Sequence, residues 1–366
     1  MRVDMLEFSK AYLKLLLFLI LMMITLPSFA NDGSYRQGSG NHLIPVNETD
    51  ISLKKEILTI KRGEYKFNVS VYYELFNPGE EKEIIVGFEA DNSSYPGSVY
   101  PNKGEHPYIS NFKINVNDKD LKYKMSYLLN NESLSAEKKA ISLPNLKKYI
   151  KKDIESASFT YIYSFKVVFK KGINIIKHNY EFSVYSDLGA HYLFDYKLTP
   201  ATRWANKQID DFTLKLDLGN YEGIKISLLN DDTKKYWSFS GSGHYGRTDN
   251  SQNDNQYEDV FIEHGELVFH KENFIPSDEL SFSCPQFFNV PDDGENDGEN
   301  LPYSLSASKS TTEASNSDGK FEPFQNDVIK NLQLARDGYV FPDKRLYNYF
   351  MKFTNWYRPN PAYKLK

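Results

Sequence analysis

Seven histidines, one cysteine, a glycine-rich hexapeptide and an acidic cluster are the stretches of this 366-residue chain whose residue types could do chemistry. A metal centre needs ligands about 2.0–2.3 Å from one ion, which is why histidines in such sites recur as His-x-x-x-His or His-Glu-x-x-His. No such pair occurs here. His264 and His270 stand six residues apart across an expected turn. His191 and Asp195 share the polar face of one expected strand, but four residues at roughly 3.3 Å each separate them by about 13 Å, too far for one ion. His178 falls in phase with Ile176 and Tyr180 and reads as a buried, hydrogen-bonded histidine. Cys284 is in phase with Leu280 and Phe282, the place of a small buried hydrophobe; a nucleophilic thiol needs exposure and a base. Neither a metal nor a cofactor is expected.

Gly241-Ser242-Gly243-His244-Tyr245-Gly246 has the spacing of a dinucleotide fingerprint, but that motif works only where a helix follows to hold the pyrophosphate. Asp, Asn, Ser and Gln follow instead, so the expectation is a flexible hairpin or loop. Asp292 to Glu299 has the composition of a calcium loop without the ligand spacing of an EF-hand, and reads as solvated linker. Arg336 is the residue to single out. Beside Gly338 and near Trp356, it either braces a helix end or offers its planar fork to a carboxylate or phosphate. Arg336, Tyr339, Trp356, Tyr357 and Arg358 form the candidate binding set.

The elements that must position these residues are mostly strands. Phe67, Val69, Val71, Tyr73 and Leu75 alternate with polar residues, Asn77-Pro78-Gly79 makes a turn, and Ile84 to Phe88 returns, which reads as a hairpin. Phe159 to Phe169 and Ile176 to Val184 alternate on either side of Lys171-Gly172 and read as a longer hairpin. Further strands are expected at Phe112–Val116, Tyr192–Leu198, Phe212–Leu218, Ile224–Leu229, Tyr236–Phe239, Glu266–Phe269 and Leu280–Cys284. Leu146, Tyr149, Ile150 and Ile154 mark one short amphipathic helix after Pro144-Asn145, its lysine face solvated. The fold class is mainly β, an antiparallel β-sandwich body of one or two units with a small C-terminal α-helical module. The expected organisation is a leader over 1–30, a flexible lead-in over 31–50, β units over 51–187 and 188–290, an acidic linker over 291–323 and a helical module over 324–366. The linker holds eight acidic and two basic residues. In the module, Gly338 is placed to end one helix and Asp343 to cap a second that carries Leu346, Tyr349, Phe350 and Phe353 on one face.

Near the C-terminus, Leu334-Ala335-Arg336-Asp337-Gly338-Tyr339-Val340-Phe341, then Leu346, Tyr349-Phe350 and Trp356-Tyr357-Arg358-Pro359, resemble the small bacterial extracellular module called the YARHG domain. The match covers Phe324 to Lys366, with Leu334 in the place of the family's Tyr and Asp337 in the place of its His. Asp50-Ile51, Tyr72-Tyr73, Phe76-Asn77, Val86-Gly87-Phe88, Tyr196-Lys197-Leu198-Thr199-Pro200, Trp204 and Phe212-Thr213-Leu214 resemble an exported bacterial β-rich family without an assigned activity. That likeness runs from Asn41 to Phe288 and implies an all-β envelope-side body.

Arg2, Lys10 and Lys14 precede an apolar run from Leu15 to Leu26 and Pro27-Ser28-Phe29-Ala30, the pattern of a secretory signal peptide. The run has about a dozen residues where a spanning helix needs about 20, so cleavage after Ala30 and no remaining transmembrane segment are expected. The formal net charge of −5 argues against nucleic acid as a partner. A basic excess in the last 43 residues instead suits an anionic envelope polymer or an envelope protein. The reading that follows is an exported periplasmic or extracellular protein, non-catalytic and devoted to binding. Its alternative is a hydrolase of envelope polymers whose site gathers His178, His191 and Asp195 from a distance.

Overall fold

The computed structural model describes residues 43–45, 50–91, 104, 106–129, 141–150, 159–183, 190–220, 222–231, 233–246, 257–285, 287–289, 300–302, 323–354 and 357–365. In chain order the strands are β1 (Leu43–Pro45), β2 (Ser52–Arg62), β3 (Lys66–Asn77), β4 (Lys82–Asp91), β5 (Ile109–Val116), β6 (Lys119–Leu121), β7 (Lys124–Leu129), β8 (Phe159–Phe169) and β9 (Gly172–Ser183). They continue as β10 (Ala190–Tyr196), β11 (Ile209–Asp217), β12 (Glu222–Ser227), β13 (Trp237–Tyr245), β14 (Tyr257–Phe274), β15 (Leu280–Pro285), β16 (Phe287–Asn289) and β17 (Asn300–Pro302). The helices are α1 (Leu143–Ile150), α2 (Pro323–Arg336) and α3 (Lys344–Phe353). The molecule is mainly β with a sandwich-like body and short C-terminal helices.

The period-two stretches are strands, yet the two expected hairpins do not form. β3 pairs with β2 and β9 in an eleven-stranded sheet, whereas β4 pairs with β1 and β8 in a four-stranded one. The chain therefore changes layer at Asn77-Pro78-Gly79, and it changes back at Lys170-Lys171 between β8 and β9. Alternation reports which face of a strand is buried, and is the same whether the next strand lies beside it or across the core. Two fully buried asparagines hold these crossings. Asn77 Nδ2 donates to the carbonyls of Glu80 (2.9 Å) and Phe169 (3.1 Å). Asn174 Nδ2 donates to those of Lys170 (2.8 Å) and Gly172 (3.2 Å), and its Oδ1 accepts from the Lys170 amide (3.0 Å). A buried amide left unpaired would cost about 1–3 kcal/mol, so the turns are fixed by satisfying it.

The long sheet runs β10-β15-β12-β14-β11-β2-β3-β9-β5-β6, with β13 on the other edge of β14. It folds back on itself. Phe67 of β3 packs against Tyr192 and Phe194 of β10 and Phe282 of β15, with ring centroids 5.1–5.8 Å apart, although β3 and β10 lie far apart in the strand order. The four-stranded sheet covers the rest of the same face, where Phe88 meets Phe112 at 4.8 Å and Tyr180 at 5.4 Å.

The fold-back is made by β14, whose C-terminal half pairs with β11 and whose N-terminal half pairs with β12. Between them Gly265 (φ +91°) lies opposite Gly241 of β13, and a Cβ on Gly265 would sit 2.3 Å from the Ser240 carbonyl oxygen. Glu263 is the extra residue of a bulge one step away, since Ser242 pairs with His264 and Gly243 with Ile262. Bulges and glycines are the usual means of turning a sheet through a corner. Of the expected hairpin or loop the hairpin forms, since β13 pairs antiparallel with β14, and there is no phosphate cradle: Gly241, Ser242, Gly243, His244 and Tyr245 lie within β13, at the corner.

The expected boundary between residues 187 and 188 does not divide the body. β2 pairs in parallel with β11, and Lys54–Asp210 (2.7 Å), Lys55–Asp211 (2.6 Å) and Lys61–Asp217 (2.7 Å) join side chains along that seam. Each surface pair is worth only about 0.2–1 kcal/mol. Their common spacing nevertheless favours one register, because a slip would separate all three. Gln37–Lys366 form one compact unit. Two further expectations change. Leu43–Pro45, in the expected lead-in, adds to the edge of β4, and Asn300–Pro302, in the expected linker, pairs with Phe287–Asn289. The leader, Ile154, Val184 and the acidic cluster Asp292–Glu299 lie outside the described residues.

Gly265→Ala combines a left-handed φ with a backbone clash, each of order 1–3 kcal/mol. We expect a loss of about 3 kcal/mol or more in urea unfolding. Gly79→Ala, whose Cβ would have Asn77 Oδ1 at 3.7 Å as its nearest neighbour, should stay within about 1 kcal/mol. Similar losses at both positions would refute the corner.

Candidate binding surface at the C-terminal helices

The C-terminal helices begin and end as their residues dictate. Past Arg336, the last residue of α2, Gly338 (φ +82°) donates from its amide to the Ala335 carbonyl (3.0 Å), and Tyr339 to that of Leu334 (2.8 Å). This paired closure is the Schellman motif. Asp343 caps α3, its Oδ1 accepting from the Arg345 amide at 2.8 Å. Val328, Leu332 and Ala335 of α2 and Leu346, Tyr349 and Phe350 of α3 bury one face each against Phe341 and Tyr357.

That small core is completed by the body. Phe261 of β14 belongs to it, while its neighbours Val260 and Ile262 face the main core. Beyond the corner, β14 is therefore covered on both faces. Arg336 is buried, 3% exposed, with its guanidinium carbon 5.4 Å from the centre of the Phe261 ring. Arg358 Nη2 donates to the Tyr245 carbonyl of β13 at 3.0 Å, and its Nη1 to the Tyr357 carbonyl at 3.2 Å. Tyr357 is fully buried and donates its hydroxyl to the Tyr339 carbonyl at 2.6 Å. Tyr339 packs its ring on Phe341 and Tyr363. Trp356 lies outside the described residues. The structure brings Arg336, Tyr339, Tyr357 and Arg358 together, but as parts of a packed joint.

What the helices and the tail after them present outward is different. Lys330, Lys344 and Lys364 are exposed, and none has an acidic partner among the described residues. Arg345 is exposed too, but its Nη2 is 3.0 Å from Asp343 Oδ2.

The candidate catalytic residues are dispersed. His178 is fully buried among the rings of Tyr73 (5.5 Å), Phe88 (5.2 Å) and Phe112 (5.8 Å). His191 and Asp195 alternate with the buried Tyr192, Phe194 and Tyr196 on β10, and so lie on the face turned away from that core. Burial and the positive charge of Arg62 hold the His191 imidazole below its usual range, hence neutral near pH 7. Cys284 is buried opposite Tyr192. His264 and His270 are not separated by a turn; both stand on β14, on its exposed side. Among the described residues no group of three His, Cys, Asp or Glu side chains could hold a metal ion. No helix among them is long and apolar enough to cross a membrane.

Three polar residues that sequence reasoning passed over matter more. Arg62, the partly buried last residue of β2, donates from Nε to the Leu218 carbonyl (2.7 Å) and from Nη2 to Glu222 Oε1 (2.8 Å). It also lies over the Tyr192 ring at 5.3 Å. Glu222 is 1% exposed and takes the Tyr192 hydroxyl on its other oxygen at 3.3 Å. Glu56, fully buried on β2, accepts from the Tyr196 hydroxyl at 3.5 Å, and that hydroxyl is 3.3 Å from the one on Tyr73. The signal was available in phase: Glu56, Leu58, Ile60 and Arg62 occupy one face of β2. For Phe261 the signal was the unbroken run Val260-Phe261-Ile262, which marks a strand buried on both faces.

Arg336→Ala and Phe261→Ala should each destabilise the chain by about 2–4 kcal/mol. The double variant should lose less than the two losses added, because the side chains touch. Full additivity in a urea-unfolding cycle would remove the joint from the account.

No family model matches the chain, and no curated protein matches it. Solved structures are similar to it in part. A candidate nutrient binding protein from Legionella pneumophila subsp. pneumophila is 16% identical over 90% of this chain and 92% of that chain, with a TM-score of 0.45. An M1 zinc metallopeptidase from Deinococcus radiodurans is 9% identical over 71% of this chain and 47% of that chain, with a TM-score of 0.27. The chain thus spans under half the length of that peptidase. At this level neither likeness assigns the chain a ligand or a reaction.

Proposed function

We propose that this chain is an exported protein of the bacterial cell envelope that binds an anionic envelope polymer and performs no covalent chemistry. The observation that carries the reading is the division of labour among the C-terminal cations. Arg336 and Arg358 are taken up by Phe261 and by backbone carbonyls, whereas Lys330, Lys344 and Lys364 stay exposed without acidic partners among the described residues. Solvated ammonium groups on a fixed scaffold attract a polyanion by long-range charge, at little desolvation cost. Export rests on the leader-like first 30 residues, and the envelope on the resemblance of the last 43 to the YARHG module. A net charge of −5 leaves nucleic acid disfavoured. The hydrolytic alternative finds no support in the geometry of its residues, since His178 lies within the core and His191 and Asp195 on the other face of β10.

The test is binding of the full mature chain to purified envelope polymers at low and moderate salt. Lys330→Ala/Lys344→Ala/Lys364→Ala should weaken binding about tenfold at low salt, where charges are least screened. Arg336→Ala should lower stability while leaving the affinity of the folded fraction unchanged. Binding that ignores the three lysines but disappears with Arg336→Ala in a folded protein would overturn the assignment.

A further inference from the structure

The turn that leads into β13 gathers charge in a way that packing does not account for. Lys235 Nζ lies 4.9 Å and Lys271 Nζ 4.7 Å from the centre of one ring, that of Tyr236, and Lys271 also reaches Phe274 at 5.7 Å. Neither lysine has an acidic partner among the described residues. The contrast with nearby lysines is direct. Lys54, Lys55 and Lys61 are each matched to an aspartate, and Lys234, the neighbour of Lys235, pairs with Glu258 and lies over Tyr245 at 5.1 Å.

The backbone here is held firmly. Asp231, 4% exposed, accepts from the Tyr236 amide (2.7 Å) and the Thr233 hydroxyl (2.9 Å), and Leu229, Asn230 and Lys234 all take positive φ. Lys234 and Lys235 are thereby sent to different rings. The Tyr236 ring is fixed in turn by edge packing on Phe269 at 6.0 Å.

One ring quadrupole attracts a cation by about 0.5–1 kcal/mol at an exposed site. A second ammonium on the same ring shares that quadrupole and is repelled by the first. An oxyanion reached by both side chains offsets their like charge and gains charge-assisted hydrogen bonds from groups that each carry three donors. We propose that Lys235 and Lys271, oriented by Tyr236, form an oxyanion site that takes one phosphate or carboxylate of a polyanion. This site rests on the envelope-polymer reading and adds to it a second contact point, on the body. Phosphodiester and uronate polymers share this chemistry, and the experiment separates them.

The full mature chain is titrated onto immobilised poly(glycerol phosphate) and onto polygalacturonate at low salt, with folding of every variant checked by thermal unfolding. Lys235→Ala/Lys271→Ala is expected to weaken binding at least tenfold on one of the two polymers, and the polymer that loses names the oxyanion. Lys113→Ala/Lys119→Ala, the same charge change on β5 and β6, should weaken it less than twofold. Tyr236→Phe, which keeps the ring, should bind as the unaltered chain does, and Tyr236→Leu should bind at least threefold more weakly. Equal losses in the two double-lysine variants would overturn the site in favour of general charge. Binding lost with Lys330, Lys344 and Lys364 but not with Lys235 and Lys271 would overturn it while sustaining the polymer reading. Failure of the unaltered chain to bind either polymer would overturn both.

Discussion

A guanidinium packed inside a bent sheet is the contact on which most of this structure depends. Where β11 gives way to β12, β14 and β13 bend at the same level, and Arg62 fills the inner side of that bend. It ties the Leu218 carbonyl, Glu222 and the Tyr192 ring to the end of β2. A buried ion pair of this kind adds little net stability compared with apolar packing, but breaking it strands a charge at a cost of about 3–5 kcal/mol. Its effect is therefore on specificity: the sheet can close in this geometry or leave Glu222 buried without its cation. Because the bend sends β10, β15 and β12 back over β3, one sheet supplies part of both layers of the sandwich.

The other constraint is covering what the bend exposes. Past the corner, β14 has an outer face bearing Phe261, and the C-terminal helices pack there. Two helices of 14 and 10 residues bury little by themselves, and small units usually need a staple. Here the staple is borrowed from the body, as Phe261 under Arg336 and as the Tyr245 carbonyl held by Arg358. The helical segment is thus a continuation of the fold, and Arg336 and Arg358 are among the residues that seat it. The joint leaves Lys330, Lys344 and Lys364 outside.

Comparable logic governs the buried polar groups of the core. Asn77 and Asn174 turn the chain between layers by satisfying backbone groups that a tight crossing would leave bare, and Glu56 is met by the Tyr196 hydroxyl from across the sandwich. These groups sit where strands change layer or where the layers face one another. A purely apolar core would be as well buried at those points but would define the crossings less well.

Local period and local backbone chemistry, which a few neighbouring residues settle, were enough to read many of the longer strands, the helix limits at Gly338 and Asp343, and the burial of His178 and Cys284, but not the strand Ser52–Arg62 or the short strands. Tertiary structure alone decided which strands are neighbours. Phe67 to Leu75 alternates identically whether Ile84 to Phe88 lies beside it or across the core, so the layer changes at Asn77 and Lys170 were not legible. Nor was the parallel seam of β2 with β11, because 156 positions separate its partners and period carries no information about distance along the chain. The roles of the glycines at 241, 243 and 265 and of Arg336 were settled in the same way. A glycine spacing or a lone arginine acquires its meaning from what approaches it, and here what approaches is another part of the same sheet.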